Sequence, residues 1–164
     1  MSLSDRRTLL AGMAAAALVA GCGFAPAYGP GGAAEGLRGQ IAVDDPGTKA
    51  EFALVERLEN RLGRAGAAPY RLSYRVETDT DRLGITSKQE TTRYNLTGRL
   101  SYQLRNLDGD VLGSGEITGF TAYSATGSTL ATLTAERDAE DRLMVILADK
   151  LVSRLLVTAS DWRS

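Results

Sequence analysis

An α+β fold is predicted: a two-layer sandwich with two helices packed on one face of a four-stranded, mostly antiparallel sheet. Three observations predict it. Tyr70, Leu72, Tyr74 and Val76, and later Tyr94, Leu96, Gly98, Leu100, Tyr102 and Leu104, alternate with polar residues, the period of half-buried strands. Residues 48–62 and 128–156 instead repeat their leucines at three- and four-residue steps, the period of helices with one apolar face. The order strand, helix, three strands, helix then gives both helices one sheet face to cover and leaves the other wet.

A leader precedes this domain. Arg6 and Arg7 stand before an apolar run from Leu9 to Ala20, about twelve residues against the roughly 18–20 of a spanning helix, so an export signal fits and a membrane span does not. Val19-Ala20-Gly21-Cys22 closes the run and resembles a bacterial lipobox, after which the cysteine is acylated and becomes the new N-terminus. An ordinary signal with a chance cysteine is the alternative. Asp5-Arg6-Arg7-Thr8-Leu9-Leu10 also resembles a weak twin-arginine signal, so general-pathway export and export after folding both stay open. Cys22 is the single cysteine in the chain, and a fold whose one thiol carries lipid must stand on its core without a disulfide. A single acyl chain anchors only marginally, whereas the three that bacterial lipoproteins usually carry hold firmly. Gly23 follows the cysteine where an aspartate would signal inner-membrane retention in enteric bacteria, which favours the outer membrane.

The predicted organisation is a signal peptide over residues 1–21, a lipidated tether over 22–36 and one domain over 37–164. The tether is too dense in proline and glycine for a helix or a central strand. Leu37, Gly39, Ile41 and Val43 alternate with Arg38, Gln40 and Ala42 as a short strand, broken by Asp44-Asp45-Pro46-Gly47. Thr48 with Glu51 reads as a capping box opening the first helix, whose apolar stripe is Phe52, Val55, Leu58 and Leu62 with Leu54 beside it. That helix stops near Gly63–Gly66. The strand from Tyr70 runs toward a polar stretch over 78–90 and can return as a long hairpin; Asp108-Gly109 marks a tight hairpin into the strand from Val111 to Tyr123, loosened by Gly113, Gly115 and Gly119. Ser128–Leu156, free of glycine and proline, forms the covering helix, with Leu130, Leu133, Leu143, Ile146, Leu147, Leu151 and Leu155 as its stripe.

Composition excludes several functions. The chain has 19 basic and 20 acidic side chains, so it has no global field for nucleic acid or anionic lipid. It has no histidine, which removes the usual base of a serine or cysteine triad and the commonest zinc ligand. Lys49, Lys88 and Lys150 read as solvated lysines rather than partners of a nucleophilic serine. Asp44 with Asp45 reads as turn chemistry, and Asp138 with Asp141 as a solvated helix face. Gly113-x-Gly115 lies in a strand with no helix after it and is not a phosphate loop. Asn95-Leu96-Thr97 fits a glycosylation triplet but is also plain strand alternation. No enzyme, cofactor or metal site is expected.

Several stretches together resemble the lipopolysaccharide-assembly lipoprotein family, LptE, in its alphaproteobacterial form. They are Cys22-Gly23-Phe24-Ala25-Pro26-Ala27-Tyr28, the first strand and helix, Thr92-Arg93-Tyr94-Asn95-Leu96, Tyr123-Ser124 and Leu130-Ala131-Thr132. Ala135-Glu136-Arg137-Asp138-Ala139, Arg142-Leu143, Leu147-Ala148-Asp149-Lys150-Leu151 and Arg154-Leu155 continue the series, and order and spacing carry the resemblance. It implies two helices over a four-stranded sheet, placement as a plug in the lumen of the LptD outer-membrane barrel, help in assembling that barrel, and binding of lipopolysaccharide on its way to the surface. A polar sheet face suits such a site, since large barrels have wet interiors. An auxiliary or scaffold lipoprotein of another envelope lipid-transport system is the alternative. For phosphates of a glycolipid the best-placed basic residues are Arg82 and Lys88 in the long hairpin, with Arg93 and Arg99 about 20 Å apart on the outward face of the next strand; the competing reading is of solvated strand arginines.

Overall fold

The computed structural model describes residues 29, 32, 35–85, 91–125 and 128–163. The signal peptide, Cys22, most of the tether and Lys88 lie outside the described residues. In chain order the elements are β1 (Ile41–Val43), α1 (Lys49–Leu62), β2 (Tyr70–Ile85), β3 (Thr91–Asn106), β4 (Val111–Ser124), α2 (Thr129–Val157) and α3 (Ala159–Trp162). The sheet order is β1-β2-β3-β4, with α1 and α2 packed against it, which is the predicted α+β architecture.

Alternation sets the sheet. β2 and β3 pair antiparallel from Tyr70 opposite Asn106 to Ile85 opposite Thr91, so the strand from Tyr70 does run on into the polar stretch. At 16 residues β2 is about 53 Å long. The predicted faces of β3 hold: Leu96, Leu100, Tyr102 and Leu104 are buried, and Arg93, Arg99, Ser101, Gln103 and Arg105 are exposed. β1 is shorter than Leu37–Val43 because Gly39, at φ +77°, turns the chain and donates its N–H to the Leu62 carbonyl at 2.7 Å. Its pairing with β2 is parallel, since α1 carries the chain back between them.

Helix α1 starts at the predicted cap. The Thr48 hydroxyl accepts from the Glu51 N–H at 3.4 Å, while the Glu51 carboxylate reaches back to the N–H of Gly47 at 2.7 Å, one residue earlier than a capping box requires. The buried face is Leu54, Leu58 and Leu62. Phe52 is 62 % exposed because two helical positions, about 200°, separate it from Leu54.

α2 runs antiparallel to β4: Glu136, Arg142 and Lys150 meet Tyr123, Ala122 and Thr118 in turn. Its buried face is Ala139, Leu143, Met144, Leu147, Ala148, Leu151, Val152, Leu155 and Leu156. Leu130 and Leu133 do not belong to it; they are 75 % and 44 % exposed. Glu136 already faces Tyr123, one residue from the end of β4, so the first turns of α2 overhang the sheet. Farther along, α2 approaches β3 and β4 at Gly98 and Gly119, which are register partners. A Cβ at Gly98 would stand 2.9 Å from Leu143 Cδ2, and one at Gly119 3.2 Å from Leu147 Cδ2. These glycines seat the helix. Gly115 lies instead under the Tyr102 ring, 3.2 Å from where its Cβ would be.

Asp149 clips the helices together. Arg57 donates Nε and Nη2 to its two oxygens at 2.9 Å each, and Arg61 donates Nη1 at 2.7 Å. The hydrogen bonds and charge of Arg57, with the charge of Arg61, hold the Asp149 carboxyl below its ordinary range. At the end of α2 the short α3 folds back, placing Trp162 edge-on against Tyr70 with centroids 5.2 Å apart and its indole N–H on the Leu155 carbonyl at 3.3 Å.

Candidate functional site

The face of the sheet opposite the helices is polar and open. Register places Glu77, Arg99 and Thr118 on one rung, Asp79, Thr97 and Phe120 on the next, and Asp81, Asn95 and Ala122 beyond. Seven of these residues line a shallow groove of about 850 Å³ together with Leu83. Thr97 donates its hydroxyl to the Asp79 carbonyl at 3.3 Å. Arg99 donates Nη1 to Glu116 at 2.8 Å; that hydrogen bond first, then the charges of Glu116 and Glu77, hold its proton more firmly than usual. At the rim, Lys150 reaches round from α2 to the Thr118 carbonyl at 2.7 Å, and Arg142, which also pairs with Asp138, approaches the Ala122 carbonyl at 3.4 Å. Two helix cations thus occupy backbone acceptors of the exposed edge strand, which blunts that edge. Lys150 is therefore an edge cap and not simply a solvated helix lysine.

The four basic residues singled out from the sequence do not form one cluster. Arg93 lies opposite Gly84 and Ser124, on the same sheet face as Arg99 and six residues from it. Arg82 pairs with Tyr94 and so belongs to the helix-side face, where it is exposed because α1 stops short of it. Lys88 lies outside the described residues. Arg99 is bracketed by Glu77 and Glu116, whereas Arg82 and Arg93 hold no ion pair among the described residues.

The sequence reading missed the groove itself. One signal was available: Phe120 stands at a solvent-side position of β4, and it is 70 % exposed. Leu83, 61 % exposed, enters through the irregular register between Arg82 and Gly84, which alternation does not anticipate.

The same end of the sheet carries the stacked rings of Tyr94 and Tyr123, with centroids 5.0 Å apart. Tyr123 donates to Glu136 at 3.2 Å. Burial, reinforced by the Glu136 charge, pushes its phenol up to about 12. At the opposite end, Arg163 donates to the Glu35 carbonyl at 2.8 Å, so the chain enters the domain beside α3 and the start of β2, about one strand length from the Ile85–Thr91 end of the β2–β3 pair. Asp44 accepts from Arg71 at 2.7 Å. Among the described residues no group of three metal-ligating side chains comes together, and no helix is long and apolar enough to cross a membrane.

These features define a two-layer sandwich with helices on one face and an open polar sheet on the other, an architecture that recurs in bacterial lipoproteins. A lipoprotein from Caulobacter crescentus superposes with a TM-score of 0.65 at 20 % identity, covering 80 % of this chain and 98 % of its own. The rare lipoprotein B of Shewanella oneidensis gives 0.58 at 12 % identity, covering 76 % and 98 %. A minor lipoprotein of Acinetobacter baumannii gives 0.53 at 14 %, covering 73 % and 94 %. At such identities the likeness is one of fold. The chain belongs to the LptE lipopolysaccharide-assembly family, whose family model matches residues 39–155; this is a family of non-catalytic lipoproteins. No curated protein sequence matches it.

Proposed function

We propose that the chain is anchored in the outer membrane through acylated Cys22, and that its domain over 37–164 sits in the lumen of the LptD barrel. There it assists barrel assembly and takes part in moving lipopolysaccharide to the cell surface. The observation that carries this reading is the family match over residues 39–155 on a domain whose outer sheet face is mostly polar. A water-filled barrel interior can hydrogen-bond to such a face, with waters bridging the gaps. Dimensions support it too. The roughly 53 Å of β2 exceeds the approximately 25 Å apolar band of an outer-membrane barrel, and the tether entry beside Arg163 lies at the opposite end of the β2–β3 pair from Ile85 and Thr91. We propose Arg82, Lys88 and Arg93 as contacts for lipopolysaccharide phosphates; Arg99, singled out with them from the sequence, is held by Glu116 and is left out of that set.

Mild-detergent purification with partner identification tests the reading. A one-to-one complex with a large outer-membrane barrel is expected, and depletion should lower the amount of correctly assembled barrel. Recovery of an inner-membrane transporter or peptidoglycan instead would favour an auxiliary or scaffold lipoprotein. Lys88→Glu with Arg93→Glu should weaken lipopolysaccharide binding at low salt while barrel assembly is retained.

A further inference from the structure

The groove on the outer sheet face has a chemistry distinct from the cations at the tip. Its floor presents Asp79, Asn95 and Thr97 with Glu77 beside them, and its apolar lining comes from Leu83 and the face of Phe120. We infer that this groove binds a saccharide, the glycan portion of lipopolysaccharide; the inference rests on the lipopolysaccharide reading above.

The three chemical parts of a glycolipid can be separated on this surface. An acyl chain needs a continuous apolar wall, but Leu83 and Phe120 stand over a floor of polar side chains. A phosphate needs an available cation. Within the groove Arg99 is paired with Glu116 and bracketed by Glu77, Lys150 stands at the rim with one of its three donors on the Thr118 carbonyl, and the Glu77 and Asp79 carboxylates on the floor repel an anion. A pyranose ring meets neither obstacle. Its hydroxyls donate to carboxylates and exchange hydrogen bonds with an amide and a hydroxyl, and its apolar C–H face packs on an aromatic ring. Asp79, Thr97 and Phe120 share one rung of the sheet, so the carboxylate and the ring stand two strand spacings, about 9.6 Å, apart. A sugar laid against Phe120 therefore has its hydroxyls over Thr97 and Asp79. The Thr97 hydroxyl hydrogen is engaged by the Asp79 carbonyl, which leaves its oxygen free to accept. Glycan in the groove and phosphate at Arg93, farther along the same sheet face, would divide one ligand between two neighbouring sites.

The test uses the acylated full chain in detergent, with deacylated and dephosphorylated lipopolysaccharide core oligosaccharide as the probe and saturation-transfer NMR as the readout. Binding should persist from low to high salt, because no screened ion pair supports it. Asp79→Ala, Asn95→Ala and Phe120→Ala should each weaken it about tenfold or more, and Phe120→Trp should restore it by returning an aromatic face. Asp79 and Phe120 are exposed, so their variants should melt at wild-type temperature, which separates loss of the site from loss of the fold. Lipid A is run in parallel. Binding of lipid A without the oligosaccharide would overturn the saccharide site and leave the lipopolysaccharide reading standing. Oligosaccharide binding that all three alanine variants retain would place the glycan elsewhere and equally overturn it. Failure of both ligands, with the barrel still recovered, would overturn the site and confine the proposed function to assembly.

Discussion

Gly98→Ala is the most discriminating probe of how the two layers meet. The added methyl group would stand 2.9 Å from Leu143 Cδ2 and 3.0 Å from Leu147 Cδ1, closer than packed carbon atoms tolerate. Both leucines are fully buried, so neither can swing into solvent, and the helix must shift or the rotamers strain. Overpacking of this kind costs about 1–3 kcal/mol. The substitution also stiffens the unfolded chain, which by itself would stabilise by about 0.4–1 kcal/mol; the packing effect is larger, so the net sign is destabilising. For a domain of this size the net loss, up to about 2.5 kcal/mol, corresponds to a fall in melting temperature of up to roughly 10 °C. Gly113→Ala is the control, because nothing lies within 4 Å of a Cβ there and only the unfolded-state gain remains. Circular dichroism melts of the full chain in detergent read both variants. Combining Gly98→Ala with Leu143→Ala should cost less than the sum of the two, since the new methyl group enters space that the shorter side chain vacates. A melting temperature for Gly98→Ala equal to or above wild type would refute the seating of α2 on the Gly98–Gly119 pair.

Leu147→Ala should lower stability by about 2–5 kcal/mol, as expected for a leucine emptied from the centre of a closed core; an unchanged melting temperature would show that α2 does not cover the sheet. Asp149 binds its proton less readily in the folded chain than in the unfolded one, so its contribution is present above the ordinary aspartate range and is lost as pH falls through the lowered value. Asp149→Asn should therefore flatten the acid limb of a melting-temperature profile, and a limb as steep as wild type would exclude this group. Tyr123, raised to about 12, should titrate above the ordinary tyrosine value in an ultraviolet pH titration, and Glu136→Gln should bring it down by removing the negative charge. Cys22→Ala should yield an uncleaved or soluble chain without added lipid, checked by intact mass after membrane extraction.

Local pattern was enough for much of this protein. The alternation of β3 fixed which side of the sheet is buried, because a strand has only two faces and a one-residue slip would invert them all. Thr48 and Glu51 located the start of α1, since orphan N–H groups at a helix end donate to side-chain oxygens of near neighbours in sequence. The absence of histidine, and the resemblance of Val19–Cys22 to a lipobox, are read without coordinates. What tertiary structure decided involves partners distant in sequence. Leu130 and Leu133 continue the α2 stripe, yet they are exposed because β4 ends at Ser124. Phe52 keeps a helical spacing but faces water because α2 lies on the other side of α1. Gly98 and Gly119 read as interruptions of strands and become the seat of a helix only when Leu143 and Leu147 arrive. Arg82, Arg93 and Arg99 look alike as solvated basic residues. Strand register sends Arg82 to the helix side, pairs Arg99 with Glu116 and leaves Arg93 without an ion pair among the described residues. Periodicity reports which way a side chain points; only the packed layers determine what meets it there.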